Sequence, residues 1–97
     1  MKNLTFLLIF CAINSFSQVG INTETPDPSS ALDVTSSDKG VLVPRISLLS
    51  TEDITTIVSP QISLLIYNTA TAVDVTPGYY YWNGTEWSKL ATSKTVD

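Results

Sequence analysis

Apolar positions follow two different rules along this 97-residue chain. Near the start, Leu4 to Ile13 form an almost unbroken apolar run, interrupted only by Thr5. From Gln18 onward the apolar residues come in short pieces separated by Pro, Gly, Ser and Asp. The first pattern is too short for a bilayer-spanning helix, which needs about 20 residues. Lys2 ahead of the run, and Ser15 and Ser17 just before Gln18, complete the layout of a secretory signal peptide. The expected cleavage falls between Ser17 and Gln18, which places the product outside the cell or on its surface.

The second pattern predicts a mainly β protein. Val19-Gly20-Ile21 and Ala31-Leu32-Asp33-Val34 alternate as short strands do, and Asn22 to Ser30 between them is loop. Pro26 and Pro28 remove donors there and hold their predecessors extended. Thr35 to Gly40 reads as a turn. Val41-Leu42-Val43 is a strong β run stopped by Pro44, and Leu64-Leu65-Ile66-Tyr67 is a second. Between them, Ser50-Thr51-Glu52-Asp53 predicts a helix start, with Ser50 as cap and both acids at the N-terminal end. Ile54, Ile57 and Val58 would share a face of that helix, and Pro60 would end it. Its β-branched body makes it dependent on tertiary support. Val73-Asp74-Val75 extends the pairing before Pro77-Gly78 turns the chain.

Tyr79-Tyr80-Tyr81-Trp82, Asn83-Gly84 and Thr85 to Leu90 form the clearest signal, a β-hairpin. A two-residue loop at Asn83-Gly84 sets Trp82 opposite Thr85 and Tyr80 opposite Trp87. A three-residue loop that uses Trp82 moves Trp87 opposite Tyr79 and inverts the sorting of faces. The sequence leaves both registers open. The expected architecture is thus a small antiparallel sheet with a C-terminal aromatic hairpin, one short helix and an extended N-terminal segment. By residue number, 1–17 is the signal, 18–40 an extended Pro/Ser-rich segment with short strands, 41–90 the β module and 91–97 a polar tail.

Composition narrows the chemistry. All three Phe, the one Cys and the one Met lie within the signal, and the chain has no His. Cleavage also removes Lys2, so the net charge of −4 becomes −5. An acidic protein of this kind is poorly suited to nucleic acid, which needs clustered Lys and Arg, or to anionic membrane surfaces. Cys11 is preceded by the bulky Phe10, which argues against lipid modification. Without His or Cys, the Ser-His-Asp and Cys-His nucleophile systems and the usual zinc sites are excluded. Glu52 and Asp53 are explained by helix-start electrostatics before acid–base work. Asp27, Asp33 and Asp38 do not have the spacing of a calcium loop. No cofactor or metal is expected, and no enzyme.

Four ordered blocks then carry a resemblance: VGINTETPDPSSALDV, KGVLVPRISL, LLIYNTAT and YYYWNGTEW. Together, over Val19–Leu90, they resemble a module of exported Bacteroidetes surface proteins and of phage-tail-fibre-like proteins. That resemblance implies a structural or interaction unit with no catalytic residues, self-associating as fibre proteins do, as a trimer. The chain ends soon after the hairpin, which suggests a head module. Ser63 stands where a Gly often precedes the LLIYNT block.

One sharper site remains. Five of the six aromatic residues after the signal lie between Tyr79 and Trp87. Tyr80, Trp82 and Trp87, edged by Asn68, Asn83 and Glu86, are candidate binding residues that could stack on a glycan or meet a protein. The competing reading is that they are the core, because a chain without Phe has little else to bury. Exposure of Trp82 or Trp87 separates the two readings.

Overall fold

Six short strands account for the regular structure in a computed structural model that describes residues 17–92. The segment expected to be a signal peptide therefore lies outside the described residues except for Ser17, as does the end of the expected polar tail. The chain divides into two units between Gly40 and Val41, each with its own sheet.

The first unit holds β1 (Val19–Ile21) and β2 (Leu32–Val34), paired in parallel with Val19 beside Leu32, Gly20 beside Asp33 and Ile21 beside Val34. The connecting loop is organised by Asp27. Its carboxylate accepts the Ser29 N–H and hydroxyl, and its carbonyl accepts the Ser30 N–H and hydroxyl. Gln18 Nε2 donates to the carbonyls of Asp27 and Ser30, pinning the start of the chain to the loop. The hydrogen bonds from Ser29 hold the Asp27 carboxyl below its ordinary pKa, against a smaller effect of burial.

The second unit holds β3 (Arg45–Ile46), β4 (Leu65–Asn68), β5 (Gly78–Trp82) and β6 (Trp87–Lys89), in that spatial order. Adjacent pairs are antiparallel except β3–β4, which is parallel. The fold is mainly β, and its larger sheet is mixed.

Strand alternation assigns the two faces of this sheet. Ile46, Ile66, Asn68, Tyr80, Trp82 and Trp87 point inward, and the segments carrying Leu48, Ile57, Ala72 and Val75 close over them. β4 lies beside the hairpin in the same sheet, and the connections supply the cover.

Three local expectations change. The β3 pairing begins after Pro44, not at Val41–Val43: the Pro44 carbonyl accepts from Tyr67 N–H and the Ile46 carbonyl from Thr69 N–H. Pro44 has no N–H to give, so it can enter such a ladder only as an acceptor. Val41 and Leu42 remain exposed.

No helix forms among the described residues. Ser50 Oγ accepts only from Glu52 N–H, and it is Asp53 that takes the amides of Thr55 and Thr56 in the manner of an N-cap. With the cap moved to Asp53, turn structure over residues 55–58 is all that fits before Ser59, at φ +50°, and Pro60. Of the three residues expected to share a face, Ile57 packs on the core while Ile54 and Val58 stay exposed.

The hairpin adopts neither expected register. Trp82 faces Trp87, Tyr81 faces Ser88 and Tyr80 faces Lys89. Residues 83–86 form the loop. Asn83 Oδ1 accepts from Thr85 N–H, Thr85 Oγ1 and Glu86 N–H, and the Asn83 amide donates to the Glu86 carbonyl. An Asx turn thus uses the asparagine side chain as well as its backbone tolerance. The wider loop lets both tryptophans meet on the inner face, rings 5.3 Å apart and near-perpendicular.

Candidate functional site

The candidate binding residues are interior. Tyr80, Trp82 and Trp87 are 2%, 7% and 1% exposed, so none presents a ring face on which a sugar can stack. Each is also committed by hydrogen bonds or packing. Trp87 Nε1 donates to the Asp53 carbonyl at 2.7 Å. The Tyr80 hydroxyl donates to the Thr76 carbonyl and accepts from the Thr76 amide. The Trp82 ring stacks edgewise with Trp87. Of the polar edges, Asn83 and Glu86 lie in the exposed loop, whereas Asn68 is completely buried.

Asn68 and Asp53 are two polar hubs whose roles the sequence did not disclose. Asn68 Oδ1 accepts from the amides of Leu48 and Ala70, and Nδ2 donates to the carbonyls of Ala70 and Thr76. Every polar valence of that amide is used, which is what a buried asparagine requires. It ties the end of β4 to the segments on either side.

Asp53 does the same for the turn that replaces the helix. One carboxylate oxygen accepts from Thr55 N–H, Thr55 Oγ1 and Thr56 N–H, and the other from Leu49 N–H and Thr56 Oγ1. Burial, the largest single influence, raises its pKa. The hydrogen bonds from Thr56, Leu49 and Thr55 together outweigh it and hold the carboxyl well below the usual carboxylate range. A carboxylate so fully engaged has no lone pair aimed at a substrate. It is a structural knot.

The hollow on the larger sheet is correspondingly slight. A hollow of about 190 Å³ on the outer side of the larger sheet is lined by Leu42, Val43, Arg45, Tyr67 and Tyr79. That is below the range of roughly 300–1,000 Å³ in which small-molecule sites fall. In the first unit a hollow of about 370 Å³ opens between Ile21 and Val34 at the strand ends and the Ser36–Gly40 turn. Among the described residues no group of three or more Asp, Glu, His or Cys is arranged to hold a metal ion. Among them there is also no helix long and apolar enough to cross a membrane.

What is prominent is open apolar surface. In the first unit no described residue is buried. Paired residues of parallel strands project to the same side, so Val19, Ile21, Leu32 and Val34 share one face of the β1–β2 ribbon. Those side chains are 54%, 52%, 57% and 40% exposed. The opposite face carries Gly20 and Asp33 and is already occupied by the ribbon's own loop. Asp33 accepts the Asp27 amide, and a Cβ added to Gly20 would lie 2.7 Å from Pro26 Cγ.

In the second unit, Arg45, Leu65, Tyr67, Tyr79 and Tyr81 occupy the outer sheet face. There Tyr67 and Tyr79 meet edge to face at 5.0 Å. The alternation V-G-I and L-D-V was visible in sequence. That both strands turn their apolar side the same way, half-exposed, was not.

Packed aromatics inside and half-exposed apolar faces outside are the features expected of an association module. By its match over residues 20–97, the chain belongs to the family described as the phage tail like trimerisation region. No curated protein and no solved structure matches it.

Proposed function

We propose that this chain is a non-catalytic trimerisation module of an exported, fibre-like or surface protein. The observation that carries the reading is that the family match reaches into both units while no described residue of the first unit is buried. A structural role also suits the geometry. Tyr80, Trp82, Trp87, Asn68 and Asp53 are consumed in holding the second unit together. Export rests on the segment before Gln18, with its charged start, apolar run and small residues at Ser15 and Ser17.

Sedimentation equilibrium of the protein as isolated, at micromolar concentration, tests the oligomeric reading. A mass of three chains is expected, and a monomer across the accessible range overturns it. Mass spectrometry of the exported species tests the rest. Its N-terminus is expected at Gln18 or within a residue or two, and an intact Met1 or a lipid on Cys11 overturns export by this route.

A further inference from the structure

We infer that the apolar face of the β1–β2 ribbon, formed by Val19, Ile21, Leu32 and Val34, is the surface on which the copies of this chain meet. We infer also that the ribbon becomes ordered only when they do. The inference rests on the trimer reading and assigns its contact.

Physical need comes first. A two-stranded ribbon is marginally stable at best in water, and one whose aliphatic side chains are only about half covered has little hydrophobic burial to set against the entropy of fixing its backbone. The ribbon nevertheless pairs over all three residues of each strand, and its loop is hydrogen-bonded throughout. Something must cover its apolar side.

The occupant follows from the chemistry of the two faces. The back is closed by its own loop, with Pro26 against Gly20 and the Asp27 amide on Asp33, so one side alone is open. That side is contributed by four aliphatic residues with no charge among them. An acidic chain can therefore bring copies of this face together without opposing like charges across it. The family match begins at Gly20 and so includes all of the ribbon but Val19 in the trimerising region. Beyond Ile21 and Val34, the hollow against the Ser36–Gly40 turn gives a neighbour's side chain a place to seat.

The outer face of the larger sheet is the weaker candidate. It carries Arg45, its tyrosines cover one another in part, and its unit already has a core.

Leu32→Lys tests the assignment, because a half-exposed position accepts lysine in the free chain but not in an apolar contact. Dissociation is expected to become about a hundredfold easier or more, reading as a fall from three chains to one at micromolar concentration. The near-ultraviolet signal of Trp82 and Trp87, both in the second unit, stays unchanged. Tyr79→Lys, on the outer sheet face, keeps the three-chain mass. In the dissociated Leu32→Lys protein the Val19 and Thr35 amides, bonded to Ala31 and Ile21 carbonyls, exchange as in an open chain. Those of Tyr67 and Trp82 remain protected.

A trimeric wild type with a trimeric Leu32→Lys variant overturns the contact. Loss of the trimer by Tyr79→Lys instead moves the contact to the outer sheet. Protected Val19 and Thr35 amides in the monomeric variant overturn the coupling of order to assembly. A monomeric wild type is a different failure, since it removes the trimer reading itself.

Discussion

The two units of this chain use strands of similar length and reach opposite solutions. The unit beginning at Val41 encloses Leu48, Ile66, Val75, Tyr80, Trp82 and Trp87. The unit ending at Gly40 encloses nothing among its described residues, and turns Val19, Ile21, Leu32 and Val34 to one uncovered side. The difference is one of side-chain volume and of closure. Aromatic residues, two tryptophans among them, fill the space between one sheet and its connections, whereas the loop joining the three-residue strands folds over their Gly20 and Asp33 side and leaves the Val, Ile and Leu side open. A region that builds its own core stands by itself, and a region that cannot do so requires a neighbour. Small proteins without disulfides or metal face this choice routinely.

The sharpest break in that contrast is Trp87→Ala. It removes the largest buried side chain and leaves the Asp53 carbonyl without its indole donor. A loss of about 3–5 kcal/mol is expected, enough to abolish the cooperative unfolding transition of the second unit. Denaturant melts followed by near-ultraviolet circular dichroism read it. The two units would prove less different than described if the transition survived with little change. Association is expected to weaken as well, through loss of the folded unit.

Acid sharpens the contrast next. The folded-state pKa of Asp53 is depressed, so its contribution is fully present above the unfolded value of about 3.9. It is lost progressively as pH falls below about 5 toward the folded value. The second unit is therefore expected to lose stability in that window. Asp53→Asn keeps an acceptor for Thr55 but cannot accept from both Leu49 N–H and Thr56 Oγ1. That variant is expected to be about 1–3 kcal/mol less stable at neutral pH and to show a flatter acid limb. Melts from pH 7 to pH 3 compare the two proteins, and parallel curves would remove Asp53 from the account.

Gly20→Val addresses the other unit alone. The new side chain would begin 2.7 Å from Pro26 Cγ and 2.8 Å from the Thr23 carbonyl, so the loop must leave the back of the ribbon. About 1–3 kcal/mol of local strain is expected. It should be visible as faster exchange of the Val19 and Thr35 amides and a weaker trimer, while the melting of the second unit stays put.

The smallest expected effect is a gain. Val73 sits at φ +49° and is 92% exposed, a conformation that β-branched residues resist. It is held there by the Ala72–Val75 bridge and by the Asp74 carboxylate, which accepts from Thr51 N–H and Oγ1. Val73→Asn is expected to stabilise the second unit by about 1 kcal/mol, measured by thermal melting, and to leave the ribbon unaffected.

Much of the strand content was legible from residue patterns, because alternation and β propensity are local properties. Val19–Ile21, Leu32–Val34 and the Leu65–Asn68 strand stand within a residue of where their apolar runs put them. Register and partner choice were not legible. The hairpin could be drawn with two loop lengths from its sequence, and it took a third, because Asn83 caps the loop through its side chain and the two tryptophans gain more by meeting inside. The helix expected from Ser50 gave way to turns for a similar reason. Asp53 found more donors in Leu49, Thr55 and Thr56 than a helix start would supply, and docking Trp87 on its carbonyl committed the segment.

Sequence by itself determined the β class, the poverty of catalytic side chains and the concentration of aromatic residues in one hairpin, since these follow from composition and short-range pattern. Tertiary structure alone decided which of those aromatics are inside, that Asn68 and Asp53 are buried knots, and that four aliphatic side chains of the ribbon share one open face. Burial and facing depend on which strands come side by side, and that is settled by contacts between residues far apart in the chain.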